Sequence, residues 1–351
     1  MQKEILDYSL NDFQPVALIN LKAVENNAKA VKDYVKTSVC AVVKSDAYGH
    51  GLVECARALS GVADRFAVCS LEEAITLKQV GITAPILCLL PVKNVLKAIE
   101  YGVEFTIHTQ KYLEQVNATA LSVNNFAKVH IAINTGMNRL GFDCENQLKL
   151  LPTLKNLQIC GVFSHFYNGA NNLDCERQLA KFYPFVKKVK GLYPHAIAHI
   201  ASSGSIHLGN RAFFDMIRVG IAIYGYDSGR TNLKLTPAMK VIAPSVQKRM
   251  VKKGENLLYG NYKMKSDERI NVCAYGYANG FRTIGNDFFN NACMNLCAIG
   301  GQEDYVEIMS DAQLTANRLN TIEYDVLTKF GLNCKRIYYY GEQYENYIGK
   351  I

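Results

Sequence analysis

A lysine at the end of an apolar run is the first candidate for chemistry in this chain. Lys44 closes VCAVVK, and SDAYGHG follows it. Burial lowers the pKa of a lysine, and a neutral amine is a nucleophile that forms a Schiff base with an aldehyde. A lone lysine of this kind is more often a snorkelling surface residue. Tyr48 and the glycines after it, which permit a tight turn, favour the chemical interpretation.

Other polar residues also stand where apolar runs end. They are Arg139 after VHIAIN, His165 in GVFSH, Ser202 and Ser203 after AHIA, and Arg218 in MIRVG. In a (β/α)₈ barrel, the loops at the C-terminal ends of the strands converge on one mouth. We therefore expect these side chains and Lys44 to meet there.

The elements that would position them are strands alternating with helices. Nine apolar runs lie between about residues 16 and 224, separated by helix-length segments such as LKAVENNAKAVKDYV. This alternation predicts an α/β fold, a TIM-like (β/α)₈ barrel. Because nine runs exceed eight strands by one, we expect the first run, 15–20, to lie outside the barrel.

The pattern changes after GYDSGRTNLKLTP. Short strand-like runs with turn residues follow, and helical periodicity is scarce until about residues 313–330. We predict an N-terminal segment over 1–14, a barrel domain over 15–234, and a mainly β domain over 235–351.

Composition narrows the classes of function. The chain has 351 residues, 49% hydrophobic and 20% charged, as in ordinary globular proteins. The net charge of +8 is spread without a basic block, so we expect no nucleic-acid partner. Eleven cysteines without a C-x-x-C pair predict reduced thiols and no metal site. Neither a signal peptide nor a membrane-spanning run is evident, so we expect a cytoplasmic protein.

The segment around Lys44 closely resembles the cofactor-lysine motif of alanine racemases, which are barrel-type pyridoxal-phosphate enzymes. The resemblance covers nearly the whole chain. Its further landmarks, in the family's order, are AINTGMNRLGF, FSHF, HIASSGSIH, DMIRVGIAIYGY, LLYGNY, YGYANGFR, ACMN and NTIEYDVLTKFG. An ordered set is far more specific than one short motif. It implies a pyridoxal 5'-phosphate enzyme that interconverts L- and D-alanine.

The resemblance also implies two catalytic bases. Lys44 would bind the cofactor and exchange a proton on one face of the substrate, and Tyr259 of LLYGNY would act on the opposite face. Racemisation needs both, because a proton leaves the α-carbon on one side and returns on the other. In the family this tyrosine comes from the partner subunit, which implies a homodimer with shared active sites.

Further cofactor and substrate contacts follow by resemblance. Arg218 would face the pyridine nitrogen and discourage its protonation, since a guanidinium stays charged. His199 would hydrogen-bond that arginine, and His165 would lie beside the ring. The remaining implied contacts are Tyr48, Ser203, Gly220 and Ile221 for the phosphate, Arg139 for the cofactor oxygen and the substrate carboxylate, and Met294 and Tyr277 at the substrate.

Several positions depart from the usual family sequence. They are Ala132 in place of a frequently carbamylated lysine, Asn134, Asn279 and Asn295 in place of aspartates, and Ser202 in place of an asparagine. The site therefore carries less negative charge than is usual. The stretch 282–293 is also shorter than in typical members.

Three other functions stay open from the sequence. The first is a racemase for serine or a broad set of amino acids. The second is a barrel-type pyridoxal-phosphate decarboxylase, which typically places a carboxylate where Arg218 stands. The third is a non-catalytic cofactor-binding protein, against which Tyr259 argues because such proteins usually lack a β domain with an opposing tyrosine.

Overall fold

The structure is a computed structural model that describes residues 12–227, 230–259, 262–280 and 294–341. Two compact units make up the chain. The barrel unit comprises Glu25–Lys44 and Ala56–Leu235. The sheet unit comprises Met1–Val24, Ser45–Cys55 and Thr236–Ile351.

Fourteen strands are described along the chain. They are β1 Val16–Asn20, β2 Ser38–Val42, β3 Arg65–Val68, β4 Ile86–Cys88, β5 Glu104–Ile107, β6 Ala127–Ala132, β7 Leu157–Phe163, β8 Ile197–His199, β9 Met216–Val219, β10 Met239–Val251, β11 Glu268–Cys273, β12 Cys297–Gly300, β13 Tyr305–Met309 and β14 Lys335–Tyr339.

The described helices lie between these strands. They are α1 Leu21–Val35, α2 Leu52–Leu59, α3 Leu71–Gln79, α4 Val95–Glu100, α5 Gln110–Ser122, α6 Asn172–Leu192, α7 Asn210–Phe213, α8 Ala312–Arg318 and α9 Glu323–Leu332. Local sequence sets several helix starts. Ser70 and Glu73 form a capping box at α3, in which each side chain bonds the backbone N–H at the other's position.

The barrel unit contains eight parallel strands in the order β8-β7-β6-β5-β4-β3-β2-β9. Strand β9 returns to β2, pairing Arg218 with Cys40. Strands β8 and β9 are joined by the Arg218 amide, which donates to Ala201 at 3.1 Å. The predicted TIM-like barrel is confirmed, as a nearly closed ring of strands followed by helices or short helical turns.

The sheet unit contains six strands, with β12-β11-β10-β1-β14 in order and β13 paired to β10. Its pairs are antiparallel except β1 with β14. Strand β1, the first apolar run, therefore pairs here with β10 and β14. Val16, Leu18, Ile242 and Ile337 pack into one buried cluster. The predicted mainly β domain is confirmed, with helices α8 and α9 added.

The backbone directly after Lys44 turns in the left-handed sense. Ser45, Asp46 and Ala47 have φ of 54°, 53° and 54°, and Tyr48 continues at 52°. Each such non-glycine residue costs roughly 1–2 kcal/mol. Gly49 follows at φ 82°, where a Cβ would lie 2.5 Å from the Leu327 carbonyl oxygen, so only glycine fits. Strain of this kind persists where surrounding contacts hold it, often at functional sites.

Candidate active site

Lys44 follows β2 at the C-terminal end of the barrel strands and is half-buried. Its neighbours are cationic. Burial, together with the positive charges of Arg218, Arg139 and Lys44, lowers the pKa of His165 to about 3. The structure thus brings four of the predicted residues to one mouth, where the His165 imidazole is uncharged at neutral pH.

Arg218 is buried on β9, and two of its three side-chain nitrogens make hydrogen bonds. Its NH1 lies 2.6 Å from Nδ1 of His199. Its NH2 donates to the Ser164 carbonyl at 2.8 Å and faces Nδ1 of His165 at 3.1 Å. Burial lowers the pKa of Arg218 to about 10, still far above neutral pH. The guanidinium is therefore charged and tightly oriented.

Two features of Arg218 concern what it can bind. Among the described residues no ion pair includes it, so no carboxylate neutralises it directly. Its Nε finds no acceptor in the part of the chain that the structure describes. One directed donor therefore remains for a ligand.

His199 is fully buried beneath Arg218. Its ring stacks on Phe163 with centroids 5.2 Å apart and planes 3° apart. The arginine carbon Cζ lies 5.5 Å from the centroid of the same phenyl ring. Burial and the charge of Arg218 lower the pKa of His199 well below its usual value, so it is neutral.

Sequence reasoning missed a line of residues behind His199. His130 on β6 places Nδ1 2.9 Å from His199 Nε2, and its Nε2 lies 2.8 Å from Glu104 Oε2 on β5. Arg65 of β3 donates to the same oxygen at 2.6 Å. The available signal was a glutamate and a histidine inside otherwise apolar strand runs, EFTIHT and VHIAIN.

A cradle for an anion lies at the ends of β8 and β9. Ser203 Oγ accepts from the Gly220 amide at 3.1 Å and the Ala222 amide at 3.3 Å. With both lone pairs used, its hydroxyl hydrogen is left to donate. A Cβ added at Gly204 would meet nothing within 4 Å, so open space adjoins these groups. Ile221 begins a short 3-10 turn beside Gly220. Ser202, half-buried, pairs with Arg218 as an isolated bridge.

Arg139 is exposed in the loop after β6. Asn134 orders this loop, since its Oδ1 accepts from the Gly136 amide at 3.1 Å and the Asn138 amide at 3.0 Å. A cavity of about 30 Å³ beside Arg139 is also lined by Ala132 and His165. Position 132, where the family frequently has a lysine, therefore borders a cavity with room for about one water molecule.

The sheet unit carries the other predicted residues. Tyr48 is buried, with its ring centroid 5.7 Å from that of Tyr324. Tyr259 is 72% exposed, Met294 59% and Tyr277 46%. The Ala278 amide donates to the Met294 carbonyl at 2.8 Å, which places Met294 beside Tyr277. The approach of Tyr259 to Lys44 of a second subunit stays a prediction, and 282–293 lies outside the described residues.

Two kinds of feature are missing from the described ranges. None of the helices described there combines the length and the apolar character that a membrane-spanning segment requires. In the same ranges, no three residues among the histidines, cysteines, aspartates and glutamates are grouped to hold a metal ion.

Comparison with known proteins identifies relatives over more than nine-tenths of the chain. The family model described as "Alanine racemase, N-terminal domain" matches residues 19–228. "Alanine racemase 2" of Caldanaerobacter subterraneus subsp. tengcongensis is 32% identical over 94% of this chain and 97% of its own. An alanine racemase of Thermodesulfovibrio yellowstonii is 32% identical over 93% and 98%.

Solved structures agree. An alanine racemase from Clostridium difficile 630 has a TM-score of 0.84 and 28% identity, covering 93% of this chain and 96% of its own. One from Bartonella henselae, with covalently bound pyridoxal phosphate, has a TM-score of 0.81 and 27% identity, covering 93% and 99%. Sequence and fold therefore give the same answer, and the chain belongs to the alanine racemase family.

Proposed function

We propose that this protein is a pyridoxal-phosphate-dependent racemase that interconverts L- and D-alanine. One observation carries the proposal. A half-buried Lys44 and a buried, charged Arg218 lie at the same barrel mouth, where both act on His165. A decarboxylase of this class typically needs a carboxylate in place of Arg218. A cofactor-binding protein without turnover usually lacks a β domain with an opposing tyrosine, whereas this chain carries an exposed Tyr259 in that domain.

The residues present fit the cofactor. Lys44 supplies the amine for its aldehyde, and Nε of Arg218 supplies an unused donor for the ring nitrogen. The hydroxyl of Ser203 and the backbone amide of Ile221 supply donors for its phosphate beside the open space at Gly204. Gly220 takes part by donating its amide to Ser203 Oγ, which holds that hydroxyl in place. Tyr48 is proposed to add a phenolic hydrogen bond to the phosphate.

The chain's own side chains divide the chemistry. When bound, pyridoxal phosphate supplies electron withdrawal that makes the substrate α-hydrogen acidic. Lys44 Nζ takes or returns a proton on one face, and the Tyr259 phenol does so on the other. Arg139 holds the substrate carboxylate with a guanidinium. Arg218 keeps a positive charge at the ring nitrogen, which limits electron withdrawal and suppresses competing reactions.

We also propose a homodimer whose partner subunit supplies Tyr259, Tyr277 and Met294. All three side chains are large and exposed, as is typical of residues that become buried against a partner. Ala278 links two of these residues by its hydrogen bond to Met294. A cytoplasmic location is proposed because the described cysteines are free thiols, as in a reducing compartment.

Incubation of the purified, cofactor-loaded protein with single enantiomers tests the activity. We expect D-alanine from L-alanine, and L-alanine from D-alanine, by chiral chromatography. Serine, lysine and arginine enantiomers are run alongside. Lys44→Ala should lose both colour and activity, while the exposed Lys29→Ala on α1 should keep them. Release of carbon dioxide, or faster turnover of another amino acid, would contradict the assignment.

A further inference from the structure

A continuous line of hydrogen bonds crosses the barrel interior behind Arg218. Five strands contribute one residue each. In order they are Arg65, Glu104, His130, His199 and Arg218, joined at 2.6, 2.8, 2.9 and 2.6 Å. Both histidines are fully buried, and Glu104 is 5% exposed. The line therefore has no access to solvent between Glu104 and Arg218.

The chemistry of the two ends determines where the protons lie. A guanidinium has only donors, so Nδ1 of His199 must accept from Arg218. Because burial and Arg218 keep His199 neutral, its proton lies on Nε2, which donates to Nδ1 of His130. The proton of His130 then lies on Nε2 and points at Glu104, which is an acceptor when ionised. Every bond in the line is satisfied in only this one arrangement.

The ionised state of Glu104 is what the line requires. Burial alone would raise the pKa of Glu104, but hydrogen bonds from His130 and Arg65 and the charge of Arg65 hold it below its usual value. Cys40 of β2, Cys160 of β7 and Lys128 of β6 also face this region. Burial raises the pKa of each of these two thiols to about 12, so both thiols stay neutral.

We propose that Glu104 is a positioning residue for Arg218, acting through His130 and His199. Its negative charge orients both imidazoles in the Nε2-protonated form, and their acceptor nitrogens aim the guanidinium and offset its positive charge at a distance. The negative charge of Glu104 thus partly balances the positive charge of Arg218, which has no direct carboxylate partner among the described residues. The role at the ring nitrogen rests on the proposed function, whereas the proton arrangement does not.

The proton arrangement is measured by ¹⁵N-histidine NMR on the full-length, cofactor-loaded protein near pH 8. His130→Asn and His199→Asn assign the signals by their loss. We expect Nε2 protonated and Nδ1 unprotonated in both rings. Protonated Nδ1 on either ring would overturn the proposal.

Glu104→Gln tests the charge while keeping a carbonyl acceptor. We expect the Nε2–H resonances of both His130 and His199 to shift, and kcat to fall roughly tenfold to hundredfold, as when residues that orient metal-bound histidines are replaced. KM for alanine should change by less than about threefold, because substrate contacts remain. The matched control is Glu100→Gln, which removes the same charge from the surface. It should change neither the histidine resonances nor kcat.

A shift confined to His130 in Glu104→Gln, or unchanged kcat, would overturn the proposal. If that variant does not fold, Arg65→Met replaces it, since it removes the second hydrogen bond to the Glu104 oxygen that His130 contacts and should shift the Nε2–H resonances of both histidines. Resonances that stay at their wild-type positions would again overturn the proposal. The two proposals fail separately. A correct proton arrangement in a protein that does not racemise alanine would refute the proposed function alone.

Discussion

Asp46, in the left-handed turn after Lys44, is paired with Arg336 of β14. Asp46 Oδ2 accepts from NH1 of Arg336 at 2.6 Å, and Oδ1 accepts from the Leu52 amide at 2.7 Å. One carboxylate thus links the turn both to a strand of the sheet unit and to the start of α2. These two bonds help to hold backbone angles that Ser45, Asp46 and Ala47 would not adopt alone.

Replacing Asp46 should destabilise the fold measurably. Asp46→Ala removes the acceptor of the Leu52 amide and the partner of Arg336, and we expect a loss of about 1–2 kcal/mol, partly limited by solvent screening. Asp46→Asn keeps one acceptor and should lose less. Urea unfolding measures both. Lys252→Met, at an exposed ion pair with Asp267, is the control with a much smaller effect, and equal losses would contradict the assignment.

Glycine should affect stability differently at two exposed positions. At Ser45 (φ 54°) glycine relieves left-handed strain of roughly 1–2 kcal/mol and loses part of that gain to backbone entropy. Ser45→Gly should therefore leave stability unchanged or raise it. Lys29→Gly in the middle of α1 should lower it by about 0.5–1 kcal/mol. Equal destabilisation by the two variants in urea would argue against the left-handed turn.

Acid should weaken the fold below about pH 6.5. Burial lowers the pKa of His50 to about 4 and of His165 to about 3, and it also lowers those of His130 and His199. The unfolded chain protonates these histidines near pH 6.5, whereas the folded chain does so only at lower pH. The histidines therefore do not reduce the free energy of unfolding above about pH 6.5. Below that pH the free energy of unfolding falls by up to about 1.4 kcal/mol per pH unit for each histidine.

Urea midpoints between pH 7.5 and 5 measure this slope. His165→Gln should reduce the slope by up to the contribution of one histidine, about 1.4 kcal/mol per pH unit. Glu104 adds a further loss only below about pH 4.5, since its hydrogen bonds and Arg65 hold its folded pKa below the usual value. A midpoint independent of pH over this range would show that these imidazoles are not held neutral.

Sequence patterns predicted the parts of this structure that depend on periodicity. The alternation of apolar runs with helical segments indicated the barrel, and it put Lys44, His165 and Arg218 at strand ends. The left-handed turn left no such signature, because Ser45 and Ala47 have no preference for positive φ. Glu104 and His130 belong to the line behind Arg218 only through contacts between strands distant in the chain. Those contacts depend on how the barrel closes, which no local pattern encodes.

Loss of the Tyr259 hydroxyl should affect the two directions unequally. Tyr259→Phe keeps the ring and leaves Lys44 in place, so the variant should stay yellow with cofactor. The face served by the phenol loses its base, and α-hydrogen exchange should fall for one alanine enantiomer far more than for the other. Tyr262→Phe, close by in sequence, serves as a control. Equal, wild-type exchange of both enantiomers in Tyr259→Phe would refute the two-base assignment.

The most direct measurement is incubation of the yellow wild-type protein with L-alanine in deuterated water, followed by chiral separation and mass analysis. We expect D-alanine carrying deuterium at the α-carbon, together with loss of the α-hydrogen from the remaining substrate. Alanine that stays in the L form with its α-hydrogen intact would contradict the proposed racemisation.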